Sequence, residues 1–198
     1  MKKMWEERFA NNEYVYGTEP NSFYKSEIDK LTPGKALFIG DGEGRNSVYA
    51  AKLGWLADAN DWSENARKKA LDLARKNNVE INYHISSFED LKLTGKSYDL
   101  IVFIFIHVDP ELREKLHKMA VDALAPGGRI IFEAYDKDQI NYNSGGPKNS
   151  DLLYSLEEIY NDFNELGIVG FSKEIVTLNE SSIHTGEACV IRYVGIKE

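Results

Sequence analysis

Residues able to do chemistry in this 198-residue chain stand where apolar runs break. The clearest group is Gly40, Asp41, Gly42, Glu43, Gly44 and Arg45, directly after the apolar run Ala36 to Ile39. Glycines carry no Cβ, so their backbone N–H groups can come close to a ligand. A helix starting near Arg45 turns its unpaired first amides to the same place. A second strand closes on Asp61, about 20 residues after Gly40, where a carboxylate can accept both hydroxyls of a ribose. The pattern is a cradle for a nucleotide-type cofactor; the competing reading is a glycine turn in an α/β protein that binds nothing.

Two cofactor classes use such a cradle, and Arg45 separates them. The dinucleotide fingerprint asks for glycine at that position. Asp41 and Glu43 would also repel a pyrophosphate, whereas they suit a ligand carrying an ammonium and a sulfonium. S-adenosylmethionine is such a ligand. After the third strand, Ile81 to Ile85, the loop Ser86-Ser87-Phe88 stands at the carboxyl edge beside an adenine. Ser87 can face the exocyclic amine there, and Phe88 can stack or offer its amide, unless it is ordinary core.

Other candidates need the remaining elements to place them. Tyr98 to Ile106 is apolar enough for a fully buried central strand, and it ends at His107. That histidine can contact or deprotonate a substrate, or serve as a hydrogen-bonded structural residue. Asp109-Pro110 starts a helix to about Leu124, and Pro126-Gly127-Gly128 turns into a strand from Arg129 to Tyr135. Asp136 to Asp151 is a long polar loop at the active-site edge. Ser155 with Glu158 forms a capping box for a helix through Leu166. Gly170 to Leu178 and Ala188 to Ile196 read as strands whose link, residues 179–187, is too short for a crossover, so they are antiparallel. The fold expected is α/β: a Rossmann-like doubly wound seven-stranded sheet, mostly parallel, with an antiparallel C-terminal hairpin.

Composition narrows the function. Acidic residues outnumber basic ones 32 to 24, for a net charge of -8, and no basic run exceeds Lys68-Lys69, which argues against a nucleic-acid partner. Cys189 is the only cysteine, so a cysteine zinc cluster and an intrachain disulfide are excluded, and no metal site is expected. The absence of a signal peptide or long apolar span points to the cytoplasm and away from a membrane. Residues 1–198 read as one domain. Residues 1–34, rich in aromatics such as Trp5, Phe9, Tyr14 and Tyr16, precede the first strand and supply a helix from about Ser22 to Leu31. They form either a lid over the cofactor site or a fixed arm.

With these motifs in place the chain resembles the class I S-adenosylmethionine-dependent methyltransferases, in particular the small bacterial tellurite-resistance or thiopurine-type group. The motifs that carry the resemblance are WEERF, YGTEPNSF, ALFIGDGEGRNSVYAAKLG, NDWSENA, HVDPELREKLH, LAPGGRIIFEAY, GGPKNSDLLYSLEE and HTGEACVIR. It implies that Gly40, Gly42, Gly44 and Arg45 hold the methionine end, Asp61 and Trp62 the ribose and adenosine, and Ser87 with Phe88 the adenine. The chain departs from the group's usual residues at Asn60, Ser87 and Ile106.

Transfer at such a site is an in-line displacement that needs alignment and exclusion of water more than a triad. The acceptor expected is a small, soft nucleophile of the thiol, selenite or tellurite type. Lys148 and His184 would supply hydrogen-bonding or positive character above the methyl group, with Tyr14 and Tyr16 in the lid. Should a base be needed, His107 and His184 are the candidates. The competing function is a silent cofactor-binding sensor or partner protein.

Overall fold

The computed structural model describes residues 2–181 and 183–198. A short helix, α1 (Lys2–Arg8), and a coil lead to α2 (Ser22–Ile28), whose N-cap Asn21 accepts from the Tyr24 amide. Then come β1 (Lys35–Ile39), α3 (Arg45–Lys52), β2 (Leu56–Asp61), α4 (Glu64–Lys76), β3 (Asn82–Ile85), β4 (Tyr98–Ile104), α5 (Pro110–Ala123) and β5 (Leu124–Tyr135). The chain ends with α6 (Leu156–Asp162), β6 (Gly167–Ser181) and β7 (His184–Ile196). The seven strands lie in the order β3-β2-β1-β4-β5-β7-β6. β1 to β5 pair in parallel, and β7 pairs antiparallel with both β5 and β6. This is the expected sheet, and its strand order reverses between β1 and β4, where a doubly wound sheet opens its ligand crevice.

Strand alternation divides the core into two layers. Leu37 and Ile39 of β1 join Ile101 and Phe103 of β4 under α5 and Phe163, while Ala36 and Phe38 join Leu100 and Val102 under Tyr24, Ile28 and Ala50. A central strand buried on both faces has to be apolar throughout, which is why β4 reads as a continuous run.

Several boundaries differ from the sequence reading. β4 ends at Ile104, so His107 lies in the following loop. Phe105 causes this break with φ 54, a left-handed backbone that a strand cannot continue. β5 begins at Leu124 because Leu124 already pairs with Tyr98, and the Pro126-Gly127-Gly128 stretch is absorbed as an irregularity within the ladder. Two 3-10 turns, Lys137–Asn141 and Ser150–Leu152, order the long polar loop. The capping box at Ser155 is present, but α6 stops at Asp162, and α2 stops at Ile28. Residues expected to link the last two strands are largely ladder: Asn179 pairs with Thr185 and Ser181 with His184. Backbone pairing carried the hairpin through polar side chains that gave no strand signal. Among the described residues no helix is long and apolar enough to cross a membrane.

Candidate active site

The glycine turn follows β1 at the switch point and borders a cavity of about 920 Å³. Gly40 has φ 61, and a Cβ there would stand 2.4 Å from Ile106 Cδ1 and 3.0 Å from Phe88 Cζ, so only glycine fits. Gly40, Asp41, Gly42 and Arg45 all line the cavity. Gly44 is the N-cap of α3 at φ 87, and a Cβ on it would lie 2.8 Å from the Ala70 Cα. Its part is to seat α3 on α4 rather than to face the cavity.

Acidic groups on this side serve different ends. Asp41 lines the cavity; its Oδ2 accepts from Ser47 Oγ at 2.5 Å, and its Oδ1 is buried with no hydrogen-bond partner among the described residues. Burial, opposed by Ser47, pushes this carboxyl up to about 7. Asp61 at the end of β2 accepts from the Ser63 amide at 3.0 Å, and burial raises it to about 6 against the pull of neighbouring backbone amides. Two buried carboxylates, one with an orphaned oxygen, fit a ligand bearing a cation and hydroxyls. Glu43, expected to share that task, faces away. Its Oε2 accepts from the amides of Val15 (2.8 Å) and Tyr16 (3.3 Å), and its Oε1 from Lys69 Nζ (2.7 Å). It ties the N-terminal segment to the turn.

Next to Asp61, Trp62 and Phe88 present near-parallel rings, 18° apart with centroids at 6.4 Å, and both line the cavity. Ser87 does not. Its hydroxyl donates to Asp90 Oδ2 at 2.9 Å, and Ser86 lines the wall in its place, held by Asn60 Nδ2 at 3.3 Å. The sequence reading is therefore one residue out of register, since successive side chains after a strand face opposite sides.

Across the crevice the wall is aromatic. Trp5, Phe9 and Tyr16 come from the N-terminal segment, Phe105 and His107 from the loop after β4, Tyr135 from β5 and His184 from β7. The His184 ring meets Tyr16 and Phe105, each at 4.9 Å, and Tyr135 at 5.8 Å. Gly145, Gly146 and Pro147 complete this side. Two expected residues are elsewhere. Tyr14 packs outside the cavity and donates to the Lys69 carbonyl, and Lys148 is exposed with its Nζ on the Tyr142 carbonyl. An ammonium keeps its hydration unless a counter-charge draws it in, and none of the acidic groups described above lies beside it.

His107 lines the cavity, but its Nδ1 donates to the Leu152 carbonyl at 2.7 Å and its Nε2 accepts from the Tyr135 amide at 3.4 Å. Burial, partly offset by the Leu152 carbonyl, lowers it to about 4, so it is a neutral wall group and no base. Of the two roles expected for it, these contacts fit the hydrogen-bonded structural histidine and not the proton acceptor. His184 differs: its Nδ1 faces Glu180 at 3.7 Å and is buried with no hydrogen-bond partner among the described residues. Sequence reasoning missed Phe105, Ser86 and Glu180. The first was hidden in an apolar run, and the last lay in a segment read as a linker.

The other group of potential metal ligands, Asp136, Asp138 and Cys189, lies outside the cavity. Lys173 Nζ bridges its carboxylates at 2.7 and 2.6 Å.

Residues 36–128 match the family described as "Methyltransferase domain". No curated protein matches the chain. Among solved structures, one described as "Conversion of a Disulfide Bond into a Thioacetal Group during Echinomycin Biosynthesis" aligns with TM-score 0.81 at 13% identity, covering 100% of this chain and 92% of that one. TehB from Haemophilus influenzae gives 0.75 at 16%, covering 100% and 67%. The N-methyltransferase NodS from Bradyrhizobium japonicum WM9, in complex with S-adenosyl-l-homocysteine, gives 0.74 at 15%, covering 99% and 97%. At these identities the structures speak to the fold, and the family match speaks to the domain. The match to the methyltransferase domain spans the glycine turn, Asp61 and the strands that carry them, and the seven-stranded order is the fold these structures share.

Proposed function

We propose that the chain methylates a soft nucleophile on a small molecule, with thiols ahead of selenite or tellurite. The observation that supports this reading is the acceptor side of the cavity, a mostly aromatic wall on which His184 is the one candidate base not engaged by backbone. Burial keeps His107 neutral while backbone groups engage both of its nitrogens, and burial raises the Tyr135 hydroxyl well above its ordinary range. Arg45 is committed to Glu180, Arg8 donates to the Tyr16 hydroxyl, and Lys148 lies outside. A thiol, with an ordinary pKa of about 8.5, is partly ionised near neutral pH and asks mainly for alignment in a dry site. The relatives described above include proteins associated with sulfur chemistry and with TehB, which agrees with a soft acceptor without choosing one.

The bound cofactor supplies an electrophilic methyl carbon on a sulfonium. Asp61 would accept from the ribose hydroxyls, Asp41 would receive the ammonium, and the Trp62 and Phe88 rings would hold the adenine. His184 would meet the acceptor. Residues 5–21 cover the site as a strap, fastened by Glu43 and by Arg45 Nη1 on the Tyr16 carbonyl at 3.3 Å. The same reading places the protein in the cytoplasm, with no nucleic-acid or membrane partner.

The test follows S-adenosylhomocysteine formation over thiols, selenite, tellurite, amines and phenols. Turnover is expected with thiols; activity confined to amines or phenols overturns the soft acceptor. In the same assay, deleting residues 1–20 should lower turnover at least a hundredfold while cofactor affinity changes only modestly. Equal loss of both would mean that the strap serves cofactor binding alone.

A further inference from the structure

Glu180 stands where three distant segments meet. β6 delivers its carboxylate, about nine-tenths buried, to the back of the acceptor wall. Oε2 accepts from Arg45 Nη2 at 2.8 Å, and Oε1 accepts from Asn21 Nδ2 at 2.8 Å. His184 Nδ1 lies 3.7 Å from Oε2, too far for a hydrogen bond, and is buried with no hydrogen-bond partner among the described residues, so the carboxylate is the polar group it faces. The same Asn21 amide reaches Glu133 at 2.6 Å, which Arg192 neutralises at 2.7 Å. One carboxylate thus joins the first helical residue of the cofactor turn, the end of the strap and the imidazole on the acceptor side.

Each of these contacts constrains the others. A carboxylate withdrawn from water persists only with its partners in place, so Arg45 and Asn21 fix Glu180 and do not merely decorate it. Burial works to raise Glu180, yet His184 and Arg45 outweigh it and hold the carboxyl at about 2, so it stays charged across the working range. The Tyr16 and Phe105 rings meet His184 at steep angles, each at 4.9 Å, so the ring's place on the wall is shared between these contacts and the Glu180 carboxylate that its Nδ1 faces.

We propose that Glu180 is a positioning residue that passes the placement of the cofactor turn, through Arg45, to His184 on the acceptor side. The inference rests on the methyltransferase reading of the cavity, and the experiment separates the two. Hydrogen exchange is measured with and without S-adenosylhomocysteine, in the wild type and in Glu180→Gln, and the slowing on binding is taken as a ratio within each protein.

In the wild type, binding should slow the amides of residues 40–46 and, at least tenfold, those of 176–181 and 184–187. Glu180→Gln should bind the probe within about fivefold of wild type and keep the slowing at 40–46, but lose it in the hairpin. A general loosening of the hairpin would speed exchange in both states and leave the ratio intact. Equal ratios in the two proteins, or no hairpin slowing in a wild type that binds, overturn the proposal. A wild type that fails to bind the probe sinks the methyltransferase reading instead. Should Glu180→Gln not fold, Glu180→Asp keeps the charge, shortens the reach and carries the same comparison.

Discussion

The two walls of the cavity are built in opposite ways. The cofactor wall comes from consecutive segments, with Gly40 to Arg45, Asp61, Trp62 and Phe88 all within one β-α-β-α-β stretch. The acceptor wall gathers Trp5, Tyr16, Phe105, Tyr135, Gly145 and His184 from segments spread over nearly the whole chain. The first is fixed by local chain geometry and helix packing. The second is held by ring contacts and by the polar junction of Asn21, Arg45, Glu133 and Glu180. A wall built locally tolerates little change in its turn residues. A wall assembled from afar can alter its acceptor by exchanging side chains while the cofactor site persists.

The largest effect should come from the packing beneath the local wall. Gly44→Ala forces a Cβ to within 2.8 Å of the Ala70 backbone at φ 87. Left-handed strain and overpacking together should remove about 3 kcal/mol of stability, seen as a fall in Tm of roughly 10 °C. An unchanged Tm would mean that α3 and α4 adjust freely and that the cofactor wall is softer than its packing implies.

Asp61→Ala tests the cofactor wall directly. Losing two charge-assisted hydrogen bonds to the ribose should weaken S-adenosylmethionine by about 2 to 4 kcal/mol in calorimetry. Equal affinity would remove Asp61 from the cofactor site and leave the assignment of this wall without its main anchor.

A smaller effect is expected from pH. Asp41 and Asp61 hold their protons up to about 7 and about 6, against about 3.9 for an unfolded aspartate. Both pKa values are raised on folding, so their contribution to stability is full below about pH 4 and is lost as pH rises through 6 and 7. A bound cation favours the ionised forms and reverses the trend for binding. Affinity for S-adenosylmethionine should therefore rise about tenfold, about 1.4 kcal/mol, from pH 5.5 to 7.5, with proton release detectable by calorimetry in buffers of different ionisation heat. S-adenosylhomocysteine, which keeps the ammonium, should respond in the same direction. A flat profile for both would place the cation away from Asp41.

The smallest change should be Lys148→Ala, because the ammonium points to solvent and the Tyr142 carbonyl. Turnover is expected within twofold of wild type. A large loss would bring Lys148 into the acceptor wall after all.

The sequence alone determined the parallel half of the sheet and placed Gly40, Asp41, Gly42, Arg45, Asp61, Trp62 and Phe88 on one side of the cavity. Glycine spacing, the strand ending in Asp61 and the helix start at Asp109-Pro110 are local signals, and local signals survive in a string of residues. It also carried the antiparallel hairpin, since too few residues separate the last two strands for a crossover. Only the tertiary structure decided which way the side chains face. It turned Glu43 to the strap, put Ser86 in place of Ser87, left Tyr14 and Lys148 outside, and engaged both nitrogens of His107 with backbone. It also brought Asn21, Arg45 and Glu180 together across 159 positions of chain. No periodicity records such a meeting, because a polar contact between distant segments depends on how the layers pack and on the charge that packing leaves to be paired.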